Sequence, residues 1–154
     1  MESIAKVVAF ELKNVHYGID IQHVISIEKV QRITEIPNTS KFVKGVIKLR
    51  GEVTPLVDLR ERLHLGETDY SDHTKIIVVN LHNRQVGLIV DSADDVMDID
   101  SSIIDKNNKW FGGIDKEYIK GIAKLDDHLL ILLDIEQLLH SEEISEVIEE
   151  GSEK

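Results

Sequence analysis

Apolar residues along this chain recur mostly at every second position, in short runs divided by polar turns. Val8, Phe10 and Leu12 share one face at period two, so Lys6 to Leu12 reads as a strand, with Tyr17 to Ile19 returning across a Lys13-Asn14 turn. Lys75 to Leu81 and Gln85 to Val90 are almost continuously apolar, as central strands covered on both faces are, and His82-Asn83-Arg84 joins them. A turn at Ala93 to Asp95 leads to a short strand, Val96 to Ile99. Tyr118 to Leu125 and Leu129 to Leu133 form a further hairpin around Asp126-Asp127-His128.

Helical spacing is scarcer. Asp20 is placed to cap a short helix with Ile21, Val24 and Ile25 on one stripe, and Asp134 to cap a final one with Ile135, Leu138 and Leu139. Ile27 to Ile33 lacks clean alternation and reads as a partly exposed strand or loop, and Pro37-Asn38 breaks the chain. His64 to His73 is polar and is the best internal linker; Lys106 to Lys116 is a loop carrying Trp110 and Phe111. The tail 141–154 is acidic, with a weak apolar stripe that predicts a fraying helix. No repeat of fixed period is visible. Many short strands with few brief helices make a mainly β protein, and the pattern fits barrel and sandwich alike. Alternating strand and helix units long enough for a doubly wound sheet are missing.

The most informative stretch runs from Phe42 to Leu63. Val46 to Leu49 and Val53 to Val57 are two strands separated by Arg50-Gly51-Glu52, where glycine supplies the positive φ a tight hairpin needs. Asp58 precedes Leu59 with Glu61 three positions on, the spacing in which one carboxylate caps a helix and the other reaches back. Arg50 stands at the hairpin tip, where a large cation has no packing role.

Gly45-Val-Ile-Lys-Leu-Arg-Gly51, followed by Val53-Thr-Pro-Leu-Val-Asp-Leu59, resembles the signature of the CheW family of bacterial chemotaxis adaptors, with Lys48 where asparagine is usual. Tyr17-Gly-Ile-Asp20, Val86-Gly-Leu-Ile-Val-Asp91 and Leu129-Leu-Ile-Leu-Leu-Asp134 extend the resemblance over nearly the whole chain. It implies one CheW-like domain over 1–154, built as two intertwined, small, five-stranded SH3-like barrels with a few short helices, a C-terminal helix and a frayed tail at 141–154. It implies a non-enzymatic adaptor that binds the cytoplasmic tip of chemoreceptors and the regulatory domain of the histidine kinase CheA. The receptor-facing groove is implied on the first barrel, near Val24, Ile27 and Arg50. The kinase-facing side is implied on the middle barrel, at Gly87 and Val96, with Val96 on the rim of the strands that contain Ile76 to Val79 and Val86 to Val90. Arg50 is placed to hold Glu28 or Asp20, or to reach an acidic receptor residue, and Gly51 is a structural turn residue. A CheV-like arrangement would need a downstream phosphoacceptor domain, for which the 154 residues leave no room.

Composition narrows the classes. A hydrophobic share of 42% supports a core, and with aromatics at 5% that core must come from Val, Ile and Leu, which favours strands. A net charge of −11 disfavours nucleic acid and an anionic bilayer as partners. With no cysteine, no basic leader and no long apolar run, the expectation is a cytoplasmic protein without disulfides. The resemblance implies that it is monomeric in isolation and recruited to receptor arrays without direct membrane contact.

Constellations for chemistry are not found. There is no glycine-rich phosphate loop and no His-Glu-x-x-His, and the seven histidines show no ligand spacing, so neither cofactor nor metal is expected. The acidic turns Asp94-Asp95 and Asp126-Asp127 are the only basis for the alternative, a small carboxylate- or metal-dependent enzyme on a β-barrel; Asp in turns ordinarily serves local backbone bonds. Trp110-Phe111 reads equally as a partner anchor or as loop packing.

Overall fold

The computed structural model describes residues 4–37, 41–66, 69–106 and 116–140. Among these residues eleven strands run in order: β1 (Ile4–Leu12), β2 (Val15–Asp20), β3 (Val24–Lys29), β4 (Val43–Leu49), β5 (Glu52–Asp58), β6 (Lys75–Leu81), β7 (Arg84–Val90), β8 (Ser92–Asp100), β9 (Ile104–Asp105), β10 (Ile119–Lys124) and β11 (Leu129–Leu133). One-turn helices α1 (Leu59–Arg62) and α2 (Ile135–Leu138) follow β5 and β11.

The strands form two sheets, β8-β1-β2-β11-β10-β9 and β3-β6-β7-β5-β4. In the first, β8 and β9 are one chain segment broken only by the 3-10 turn Ser101–Ile103, so its two edges are joined along the chain. In the second, Thr34 and Val46 exchange both backbone hydrogen bonds, at 2.9 and 2.8 Å, tying the segment after β3 to the β4 edge. Both sheets thereby close as small barrels and hide their edges.

The order hairpin, strand, hairpin, one-turn helix occurs twice along the chain, a repeat the sequence did not reveal. The halves also trade hairpins: β1-β2 sits among the second-half strands, and β6-β7 among those of the first half. The trade is sealed by parallel pairings, β2 with β11 and β5 with β7, in which Gly18 lies opposite Leu132 and Gly87 opposite Leu56. This is the implied intertwining.

Alternation distributes the core. Ile77, Val79, Val86, Leu88 and Val90 join Phe10, Leu12, Tyr17 and Ile19 in a core shared by the two sheets. Ile76, Val78 and Ile89, on the opposite face, fill the second barrel with Ile47, Leu49 and Leu56. Burial on both faces explains the unbroken apolarity of β6 and β7.

Three hairpins close through two-residue turns, Lys13-Asn14, Arg50-Gly51 and His82-Asn83, each with positive φ at both positions. This left-handed pair matches the twist of the flanking strands. Gly51 adopts φ +79° as expected, and Arg50 is itself left-handed at +53°. A Cβ on Gly51 would meet nothing within 4 Å, so only backbone strain opposes a side chain there. Gly51→Val is expected to cost about 1–2 kcal/mol, read from the denaturation midpoint.

The structure corrects several expectations. Asp20 accepts a hydrogen bond from Gln22 N at 2.9 Å, but it caps only the 3-10 turn Ile21–His23; Val24 and Ile25 belong to β3. β-Branched side chains favour the strand, and pairing with β6 (Val24 with Val79, Ile27 with Ile77) decides it. The expected turn at Ala93 to Asp95 lies within β8, where a bulge sets two residues opposite Ala9, between the pairs Phe10 with Ala93 and Val8 with Val96. The His64 to His73 linker runs between the two halves, and its described stretch 69–73 is tied down: the Tyr70 hydroxyl donates to Asp58 at 2.9 Å, and Ser71 N donates to the buried Thr74 Oγ1 at 2.8 Å. Trp110, Phe111 and the tail 141–154 lie outside the described residues.

Candidate functional site

Val24, Ile27 and Arg50 lie on the five-stranded sheet, the one completed by β6 and β7, and not on a barrel formed by the N-terminal hairpin. Val24 is half-buried against the shared core. Ile27 pairs with the fully buried Ile77 yet is itself 41% exposed, which puts it at the margin where the shared core opens to solvent. Arg50 projects from the β4–β5 tip and makes no hydrogen bond or ion pair with any described residue. The expected carboxylate partners do not meet it: Asp20 is engaged in its cap, and Glu28 sits on β3 opposite Ile76.

Gly87 and Val96 do not share a barrel rim. Gly87 is buried in β7, where a Cβ would lie 2.5 Å from Leu56 Cδ2 and 2.8 Å from Ile76 Cγ2, so its missing side chain makes room for the core. Val96 is on β8 of the other sheet, paired with Val8 and 50% exposed. The expectation that Val96 edges the β6–β7 strands failed because β8 returns to pair with β1 instead of continuing their sheet.

Between the barrels lies a polar network that the sequence reading missed. Asp58 Oδ1 accepts from Arg60 N at 3.0 Å and Glu61 N at 3.4 Å, as a cap should. Glu61 does not reach back; it is buried and ion-paired with Lys44, while Asp58 N donates to Phe42 O. Arg60 forks onto both oxygens of Asp91, which also accepts from Lys13 N at 2.7 Å. Arg62 is buried, donates to Leu138 O at 2.8 Å and Tyr118 Oη at 2.9 Å, and stacks on the rings of Phe42 and Tyr118. Both arginines of α1 therefore bind residues of the second half. The legible signal was a one-turn helix with two arginines beside an apolar strand.

The network borders a cleft of about 680 Å³ lined by Glu35, Lys44, Asp58, Glu61, Asp69 and Tyr70. Burial, then the Asp58 charge and hydrogen bond, push the Tyr70 hydroxyl far above its usual range, so it stays a donor to Asp58. At the Asp126-Asp127 turn, the hydrogen bond to His128 and then its charge hold the Asp127 carboxyl below the usual range. A general acid requires the opposite shift. Among the described residues no three His, Asp or Glu side chains are grouped to hold a metal.

The model of the CheW-like domain matches residues 6–143. The chain belongs to the CheW family. It is 39% identical over 136 residues to the chemotaxis protein CheW of Klebsiella aerogenes, covering 88% of this chain and 82% of that one. It is 37% identical over 140 residues to CheW of Bacillus subtilis, covering 89% and 88%. The crystal structure of the scaffolding protein TtCheW from Thermoanaerobacter tengcongensis superposes with a TM-score of 0.83 at 35% identity, covering 91% of this chain and 95% of that one. This CheW-family chain is accordingly an adaptor of bacterial chemotaxis signalling that links chemoreceptors with CheA.

Proposed function

We propose that this chain couples its partners mechanically, as a rigid body that contacts receptor and kinase through different sheets. The observation that supports this is the separation of two solvent-facing apolar positions, Ile27 at the margin of one sheet and Val96 near the edge of the other, over one shared core. The Val24, Ile27 and Arg50 surface meets the receptor tip, and the surface around Val96 meets the regulatory domain of CheA. Gly87 lies in the five-stranded sheet and touches neither partner; it acts only through the packing of β7. The chain performs no catalysis and works as a cytoplasmic monomer recruited to receptor arrays; no helix among the described residues is long and apolar enough to cross a membrane. Differential contact with two kinase conformations is what shifts kinase activity.

The test is a pair of exposed substitutions. Arg50→Glu should leave circular dichroism and melting almost unchanged and abolish receptor-coupled kinase activation. Val96→Asp should weaken kinase binding about tenfold or more, because an apolar contact would then bury an unpaired carboxylate, with receptor binding retained. Normal coupling by a folded Arg50→Glu protein removes Arg50 from the site, and equal loss of both partners in Val96→Asp makes Val96 a structural residue.

A further inference from the structure

Among the acidic surface of this chain, one end of the five-stranded barrel is basic. Lys48 on β4 pairs with Val53 on β5. The parallel register of β5 and β7 sets Leu56 beside Gly87 and Val57 beside Leu88; counted toward the tip at the same offset, past the Gln85 to Thr54 side-chain bond, it brings Val53 level with Arg84. Lys48, Val53 and Arg84 therefore form a row across three adjacent strands, all three exposed, with Val53 at 40%. Arg50 stands at the tip directly beyond. Neither Lys48, Arg50 nor Arg84 is ion-paired with any described residue, and Glu52, the nearest carboxylate in sequence, alternates to the other face of β5. In a chain of net charge −11, that is a local reversal of sign.

The row is also held rigid. The side-chain amide of Gln85 donates to Leu49 O at 3.1 Å and to the buried Thr54 Oγ1 at 2.8 Å, fastening the start of β7 to the β4–β5 hairpin just below its tip. The same face of β7 continues as Val86, Leu88 and Val90 into the shared core, so the row is the part of that face which no described element covers.

We infer that this row docks one helix of a partner protein, bearing carboxylates two turns apart with an apolar side chain between them. Adjacent strands lie about 4.8 Å apart, which puts Lys48 and Arg84 roughly 10 Å apart across Val53. Seven residues of α-helix rise about 10.5 Å, so acidic residues at i and i+7 meet the two cations while an apolar residue at i+4 meets Val53. An extended segment fits poorly: same-face residues fall about 6.7 or 13 Å apart. Planar recognition by arginine and the point charge of lysine both suit carboxylates. The inference deepens the adaptor reading, on which it rests only for which protein carries the helix.

The probe is a fluorescent, stapled helical peptide with Glu at i and i+7 and Leu at i+4, titrated against the full chain and followed by anisotropy. Arg84→Glu and Lys48→Glu should each weaken binding at least tenfold with melting unchanged, whereas Lys120→Glu, which reverses an exposed cation on β10, should change it less than about twofold. Moving the second Glu to i+5 should also cost at least tenfold. Undiminished binding by Arg84→Glu, equal loss in Lys120→Glu, or indifference to the Glu spacing overturns the inference. So does a single-stranded oligonucleotide that binds more tightly than the peptide and is lost in the same variants. A receptor cytoplasmic fragment is titrated in parallel. If it fails to bind while the peptide behaves as stated, the docking row stands and the receptor reading falls.

Discussion

Gly87→Val is expected to lower stability by about 3 kcal/mol or more, because two buried side chains already occupy the space the new Cβ would take. Leu56 Cδ2 and Ile76 Cγ2 would stand 2.5 and 2.8 Å away, and both belong to the packed interior of the second barrel. Forcing extra carbon into a filled core displaces rotamers and backbone and costs about 1–3 kcal/mol, with the γ-methyls adding to it here. For a chain of this size the melting temperature should fall by about 6–12 °C. Gly18, at the corresponding place in the other sheet, has its nearest side-chain carbons at 3.2 Å, so Gly18→Ala should be milder. Calorimetry on the two variants checks the order. Loss of receptor and kinase binding by Gly87→Val should track the unfolded fraction; a variant with native melting and a selective kinase defect would return Gly87 to the binding surface.

Arg62→Ala is expected to be the second most damaging change, at about 2–4 kcal/mol. The guanidinium supplies the donor for Leu138 O, a terminal carbonyl of α2 with no partner inside its helix, and the donor for Tyr118 Oη. It also packs between the rings of Phe42 and Tyr118, at 5.2 and 4.8 Å from their centroids, a contribution of about 0.5–2 kcal/mol where water is excluded. Removing it leaves buried polar atoms unsatisfied and a void between α1 and α2, the helices that end the two halves. Tyr118→Phe removes one bond and keeps the ring, so a double-mutant cycle should give coupling of about 0.5–3 kcal/mol. Additive losses would show that Arg62 acts through shape alone. An Arg62→Met variant as stable as the parent would show that volume, and not the donors, is what the site needs.

Local features were legible because they depend on neighbours along the chain. The Arg50-Gly51 turn, the Asp58 and Asp134 caps and the doubly buried β6 and β7 follow from turn chemistry, capping and alternation, which act within a few residues. Where two local signals competed, tertiary pairing chose. Ile21, Val24 and Ile25 have helical spacing, yet β6 offered β3 an unpaired edge. Asp94-Asp95 has turn chemistry, yet pairing with β1 kept both residues within β8, the extra one taken up as a bulge opposite Ala9.

The site divides in the same way. The sequence marked Arg50 as a cation without a packing role, and the family signature marked Val24, Ile27, Gly87 and Val96, but their grouping depended on which hairpin enters which sheet. The repeat was hidden because equivalent positions are unevenly spaced: Gly18 corresponds to Gly87, whereas Asp58 corresponds to Asp134 by a longer interval. By itself the sequence determined a β protein of short hairpins, an acidic surface and CheW-type motifs in order. Only the tertiary structure decided that the halves exchange hairpins, that Gly87 faces inward while Val96 faces solvent on the other barrel, and that Lys48, Val53 and Arg84 align in one row. Each of those is set by hydrogen-bond register between strands far apart in sequence, and register leaves no trace in the periodicity of any single strand.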